Sequence, residues 1–108
     1  MVQLNDGGDM SESDTRQYKN MLEALASYKN NKMDLSNLIS TLEFLLGALN
    51  ECTETFRGEF LKDWGVLEDG YSMFVASGQK QLSSEAKKDI DTVIDALSII
   101  ITDKAIES

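Results

Sequence analysis

The chain has no histidine and no proline among its 108 residues, and it has a single cysteine. Histidine is the commonest general base near neutral pH and the commonest metal ligand, so its absence excludes most hydrolase and di-iron sites. Cys52 has neither a second cysteine for an internal disulfide nor a histidine to activate it. We therefore expect no enzyme activity, no metal and no cofactor.

Long apolar runs are also missing. No stretch approaches the roughly 20 apolar residues that a bilayer-spanning helix needs. The first ten residues carry acids where a secretory signal would carry a basic flank and an apolar core. We expect a cytoplasmic protein without membrane contact.

Acidic residues dominate what is present: nineteen oppose ten basic residues, for a net charge of -9. This charge repels nucleic acid phosphates and anionic headgroups, so we expect no direct nucleic acid partner. It suits a basic protein partner, although a high charge also serves solubility alone. Residues 35–78 hold seven acids and two bases, so the negative field is concentrated there.

The opening segment is polar and differs from the rest of the chain. Residues 1–12 contain Gly7 and Gly8 and show no apolar periodicity, which predicts a flexible, disordered N-terminal tail. Residues 13–108 show helical periodicity and are expected to form a single helical domain with one core.

The first two helices are indicated by caps and apolar stripes. Asp14 and Gln17 form a capping-box pattern, so the first helix is predicted to begin at Asp14 and to end near Tyr28. Asp34 offers a second N-cap. The leucine-rich stripe of residues 35–49 then predicts a central core helix.

The third helix is predicted to begin after Thr53 and to stop at Gly78. Its apolar seam steps by four, four, three, four and three residues: Phe56, Phe60, Trp64, Leu67, Tyr71 and Phe74. Gly65 or Gly70 inside this helix marks a possible kink. We interpret the aromatic seam as core rather than as a ligand pocket.

A fourth helix follows Ser83 or Ser84, either of which can be its N-cap. Its stripe consists of Ala86, Ile90, Val93, Ile94, Leu97, Ile100 and Ile101. Four amphipathic helices joined by short loops predict an all-α protein, a four-helix antiparallel bundle.

Charge placement supplies the candidate partner-binding residues. They are the acids of the predicted third helix: Glu54, Glu59, Asp63, Glu68 and Asp69. Glu59, Asp63 and Glu68 are expected at the margins of the buried seam, within reach of a partner. The alternative is an ordinary solvated face.

Several segments together resemble a known family. They are residues 42–46 (LEFLL), the aromatics Phe56, Phe60 and Trp64, residues 64–71 (WGVLEDGY), and then Gly78, Leu82, Ser83 and Glu85. Across residues 18–101 the chain resembles small helical immunity proteins, the antidotes encoded beside toxins of bacterial contact-dependent inhibition and related polymorphic toxin systems.

This resemblance implies a cytoplasmic protein that binds one cognate toxin domain, often a nuclease, and blocks it. A basic, ribonuclease-type toxin bound in a 1:1 complex fits the acidity. The resemblance assigns no individual binding residue. Two alternatives remain: a helical adaptor or self-associating regulator with Val66 and Met73 at a subunit interface, and an enzyme that uses carboxylates alone.

Overall fold

The computed structural model describes the backbone of residues 6–107 and the side chains of residues 13–106. This part of the chain forms four α-helices and no strand: α1 (Asp6–Lys29), α2 (Leu35–Gly47), α3 (Glu54–Ser77) and α4 (Ser84–Glu107). Each helix packs against the next in the chain, and α4 packs back against α1. The predicted all-α, four-helix antiparallel bundle is confirmed.

The core is built from the apolar stripe of every helix. Its fully buried side chains are Met21 and Leu25 of α1, Leu38 and Leu42 of α2, Phe60 and Leu67 of α3, and Ile90, Ile94, Leu97 and Ile101 of α4. They recur at spacings of three, four or seven residues, so each helix turns one continuous apolar side inward. Removal of this area from water is the main term that holds the bundle together.

The helix boundaries follow from local hydrogen bonds. The side chains of Asp34, Thr53 and Ser83 each accept the backbone N–H three residues later, at 2.8, 3.1 and 3.1 Å. Of the two expected serines, Ser83 is therefore the cap of α4. Gly78 ends α3 in the left-handed conformation, with a φ of 71°. These predicted boundaries are confirmed.

The predicted start of α1 at Asp14 is wrong, because the helix begins at Asp6 and Asp14 lies inside it. The carboxylate of Asp14 does not cap its own helix, since backbone amides of a distant loop occupy it. Within the predicted tail, residues 1–5 lie outside the described residues. The backbone of residues 6–12 belongs to α1.

Neither interior glycine ends α3, which runs as one helix from Glu54 to Ser77. Gly70 lies where α3 packs on α4, because a Cβ at this position would stand 3.7 Å from the side chain of Ile90. A Cβ at Gly65 would meet no atom within 4 Å. At 3.7 Å the Cβ at Gly70 would make an ordinary van der Waals contact, so internal packing requires a glycine at neither position.

The helices differ in length, and this leaves one end of the bundle open. α2 has 13 residues whereas α3 and α4 have 24 each. Lys29, the last residue of α1, pairs with Asp95 in the middle of α4. The α3–α4 hairpin therefore extends past the connection between α1 and α2, and a cleft lies between them.

Candidate partner-binding surfaces

The loop between α2 and α3 is fixed to α1 by one buried carboxylate. Asp14 is only 4% exposed. One of its carboxylate oxygens accepts the N–H of Asn50 at 2.7 Å, and the other accepts the N–H of Glu51 at 2.8 Å. Such charge-assisted bonds are about twice as strong as neutral ones. They hold the acidic beginning of α3 in a defined position on the bundle.

The five acids predicted as partner contacts lie on the surface. Glu54, Glu59, Glu68 and Asp69 are exposed, and Asp63 is half-buried. None of their side chains makes a hydrogen bond or an ion pair within residues 13–106. Their charge is therefore not neutralised by a salt bridge in this part of the chain, and it is available to a partner.

Two contacts show which sides of α3 face its neighbours. The indole N–H of Trp64 donates to the carbonyl oxygen of Ile39 at 3.0 Å, so the Trp64 side of α3 faces α2. Gly70 approaches Ile90 and marks the side that faces α4. A rotation of about 100° per residue then gives the directions of the remaining side chains of α3.

On this basis the five predicted acids do not form one site. Glu54 and Glu68 lie on the α2 side of α3, whereas Glu59 and Asp63 lie on the α4 side. Asp69 points outward, about 100° from Glu68. The sequence placed all five on the surface, but the structure divides them among three directions: the α2 side, the α4 side and outward.

Sequence reasoning missed an exposed aromatic ring on α2. Phe44 is 74% exposed and lies about opposite the buried stripe of its helix. A Cβ at Gly47, about one turn away, would meet no atom within 4 Å, so this part of the α2 surface is open. The signal was present in the run LEFLL, since Phe44 is out of phase with Leu42 and Leu46.

We name the surface around this ring the α2–α3 face. It consists of Phe44 and Glu43 of α2 together with Glu54, Leu61 and Glu68 of α3. All five are exposed, and Leu61 is 39% exposed. Large apolar side chains ringed by polar residues are typical of protein–protein contact sites. The face therefore combines an aromatic anchor with three carboxylates.

The open end of the bundle carries charges of both signs, because Asp34, Asp91 and Asp95 line its cleft together with four lysines. Its cleft has a volume of about 1220 Å³ and a partly apolar floor that includes Tyr71 and Phe74. Four of the ten basic residues of the protein line it: Lys29, Lys32, Lys80 and Lys87. This concentration of lysines was not predicted, because the residues come from three separate segments of the chain.

Tyr28 lies on the wall of this cleft. Burial raises the pKa of its hydroxyl above the ordinary value of 10.0, and the carboxylate of Asp91 raises it further. Both causes favour the neutral, protonated phenol in the folded protein. The hydroxyl is therefore a neutral polar group of this cleft at physiological pH.

Residues 13–106 show no group of three or more Cys, Asp or Glu side chains that could hold a metal ion. None of the described helices is long and apolar enough to cross a membrane. The fold and these surfaces define the class, a small all-α four-helix bundle. No protein-family model, curated protein or solved structure matches the chain.

Proposed function

We propose that the protein is an immunity protein: a cytoplasmic, non-enzymatic binding protein that neutralises a basic, ribonuclease-type toxin domain in a 1:1 complex. The observation that supports this best is the α2–α3 face, where Phe44 is exposed on α2 and the acids Glu43, Glu54 and Glu68 are exposed on the same pair of helices. The resemblance of residues 18–101 to small helical immunity proteins points the same way.

The two components of the face have different roles in binding. A nuclease holds its polyanionic substrate with lysines and arginines, so carboxylates on an inhibitor can occupy the same surface. Long-range attraction between opposite charges mainly raises the association rate. A buried aromatic anchor mainly slows dissociation, because most affinity in an interface comes from a few such side chains. Phe44 is the anchor in this scheme.

The uneven distribution of charge on the bundle orients a basic partner as it approaches. The cleft is close to neutral, since three aspartates line it together with the four lysines, whereas the segment of residues 35–78 carries seven acids and two bases and attracts a basic partner. The Asp14 clamp keeps the start of α3 in place before the partner arrives. A preformed face costs less ordering entropy on binding than a flexible one.

The test is co-expression with the toxin domain encoded by the neighbouring gene, followed by co-purification and a growth assay. The wild-type protein should rescue growth and copurify with the toxin domain. Phe44→Ala should speed dissociation at least tenfold. Glu54→Lys combined with Glu68→Lys should slow association at least tenfold at low salt.

A matched control separates this face from general acidity. Glu59→Lys combined with Asp89→Lys makes the same change in net charge at exposed positions on the α4 side. This control should slow association much less than the pair on the α2–α3 face. Equal slowing by both pairs would contradict the assignment of the face. Absence of complex and of rescue would contradict the immunity function and favour the helical adaptor.

A further inference from the structure

α3 carries a second exposed surface that the α2–α3 face does not include. We name it the α3 ridge: Lys62, Val66, Asp69 and Met73. Their spacing of four, three and four residues places them within about 60° of one another on the helix. Val66 is 42% exposed and Met73 is 73% exposed. No other helix of the described bundle covers them.

The charged members of the ridge have no use within the fold. Neither the Lys62 ammonium nor the Asp69 carboxylate makes a hydrogen bond or an ion pair among residues 13–106. Gly58, one turn before Lys62, borders the ridge, and a Cβ there would meet nothing within 4 Å. The ridge therefore offers an apolar centre, one charge of each sign and an open notch.

We propose that the α3 ridge binds a second copy of this chain, with the two α3 helices antiparallel and a twofold axis between Gly65 and Val66. Lys62 precedes this axis by as many residues as Asp69 follows it, so each Lys62 meets Asp69 of the other copy. Gly58 and Met73 are likewise equidistant from the axis. Each Met73 therefore packs over the notch at Gly58 of the other copy.

The charges select both the direction and the register. A parallel pair of α3 helices would bring Lys62 against Lys62 and Asp69 against Asp69, which is repulsive. In the antiparallel pair the contact of Lys62 with Asp69 and the contact of Met73 with Gly58 each occur twice, once on either side of the axis, as a twofold interface requires. Val66 lies beside the axis and packs near Val66 of the other copy, so the apolar centre of the ridge is covered.

The surroundings of the ridge bear on the strength of the dimer. Glu59 lies about 20° from Val66 on the α4 side and therefore borders the ridge, whereas Asp63 lies about 60° from Val66 on the same side. The net charge of -9 on each copy opposes association, and salt screens this repulsion. A contact through one helix pair is at the small end of interface sizes, so we expect micromolar affinity. The α2–α3 face stays uncovered, which leaves each copy free to bind its own partner.

Sedimentation velocity at about 0.15 M salt, from about 1 to about 200 µM protein, tests the dimer. The wild type should shift from monomer to dimer. Lys62→Glu alone and Asp69→Lys alone each create two like-charged pairs and should raise the dissociation constant at least tenfold. An equimolar mixture of the two variants should associate again, because all pairs between them are attractive.

Arg57→Glu is the matched control for Lys62→Glu. It makes the same charge change at an exposed position of α3 that lies on the α2 side, off the ridge. It should leave dimerisation close to that of the wild type. Circular dichroism of each variant checks that the fold is unchanged. A wild type that stays monomeric throughout, or single variants that dimerise like it, would overturn the proposal.

Disulfide trapping tests the register independently. In a Cys52→Ser background, oxidation of a mixture of Lys62→Cys and Asp69→Cys proteins should give a cross-linked dimer, because these positions face each other. Each variant alone should give little, since its own cysteines lie too far apart for a disulfide. Cross-linking of each variant alone, without the mixed product, would overturn the antiparallel arrangement.

Discussion

At the scale of single residues, the side chain of Asp14 joins α1 to the α2–α3 loop. Its carboxylate is buried and holds two backbone amides of the α2–α3 loop. Asp14→Ala leaves both amides without their acceptor, and we expect the free energy of unfolding to fall by about 2–4 kcal/mol. Asp14→Asn keeps one acceptor oxygen and should lose about half as much. Urea denaturation measures both changes.

Glu23→Ala is the control for this prediction. Glu23 lies exposed on the same helix and makes no hydrogen bond or ion pair among residues 13–106. Its removal should change the unfolding free energy by no more than about 0.5 kcal/mol. If Asp14→Ala were equally mild, the clamp would have no energetic role.

The same residue shows what a sequence pattern cannot reveal. Asp14 and Gln17 match a capping box, and local pattern alone therefore placed a helix start there. The true partners of the carboxylate, Asn50 and Glu51, are more than 30 residues away in the chain. Only the packing of α1 beside the α2–α3 loop brings them together, and no spacing rule contains that contact.

Tyr28 makes stability depend on pH at the alkaline end. Its pKa is raised above 10.0 in the fold, first by burial and second by the Asp91 carboxylate. The folded state therefore favours the protonated phenol. This contribution is fully present below pH 10 and is lost as pH rises through the raised pKa.

Tyr28→Phe removes this titration, so the free energy of unfolding should fall less steeply above pH 10 in the variant than in the wild type. Denaturant melts at a series of alkaline pH values measure the difference. The other tyrosines are present in both proteins, so their titration is common to the two series. Parallel curves for the two proteins would contradict the assignment.

At the scale of the helix, two glycines in the third helical segment have opposite roles. Gly65 lies inside α3 with no atom near its missing Cβ, whereas Gly78 ends the helix at a φ of 71°. Gly65→Ala should stabilise the monomer by about 0.5–1 kcal/mol through helix propensity. Gly78→Ala should destabilise it by about 1 kcal/mol, because alanine disfavours the left-handed conformation.

Thermal unfolding of the two variants measures both changes in stability. The experiment uses low micromolar concentrations, where the monomer prevails. The two substitutions add the same methyl group, so each is the control for the other. A shift of the melting temperature in the same direction for both would contradict the distinction.

The four helices could be predicted from the sequence because the apolar residues of each one recur with a period near 3.6 residues. The caps Asp34 and Thr53 were also predictable, since their hydrogen bonds reach only three residues ahead. Phe44 was missed as a candidate contact because the candidates were chosen by charge placement alone, although Phe44 is out of phase with the leucine stripe. The lysine-lined cleft depends on the relative lengths of the helices and on their packing, so the sequence did not reveal it.

At the scale of the whole molecule, the helices form a closed ring of contacts: α1 with α2, α2 with α3, α3 with α4, and α4 with α1. Each helix therefore buries its stripe against two others, and removal of one exposes the core of all. The clamp at Asp14 and the indole hydrogen bond from Trp64 to Ile39 tie separate pairs of helices together. We expect the bundle to unfold in one cooperative step.

Ile94→Ala tests this cooperativity from α4. Ile94 is 0% exposed, so its truncation leaves a cavity and should lower the unfolding free energy by about 2–5 kcal/mol. Trp64 fluorescence reports on the contact between α3 and α2, whereas far-ultraviolet circular dichroism reports on all helices. Both transitions should shift to the same lower denaturant concentration, although Ile94 is on a different helix from the fluorophore.

Ile99→Ala is the matched control, because Ile99 lies on the same helix but is 64% exposed. It removes the same atoms without a cavity and should shift either transition little. Separate fluorescence and circular dichroism transitions in the Ile94 variant would mean that α4 unfolds on its own. The closed ring of contacts would then not make the four helices unfold together, and two parts of the core would unfold separately.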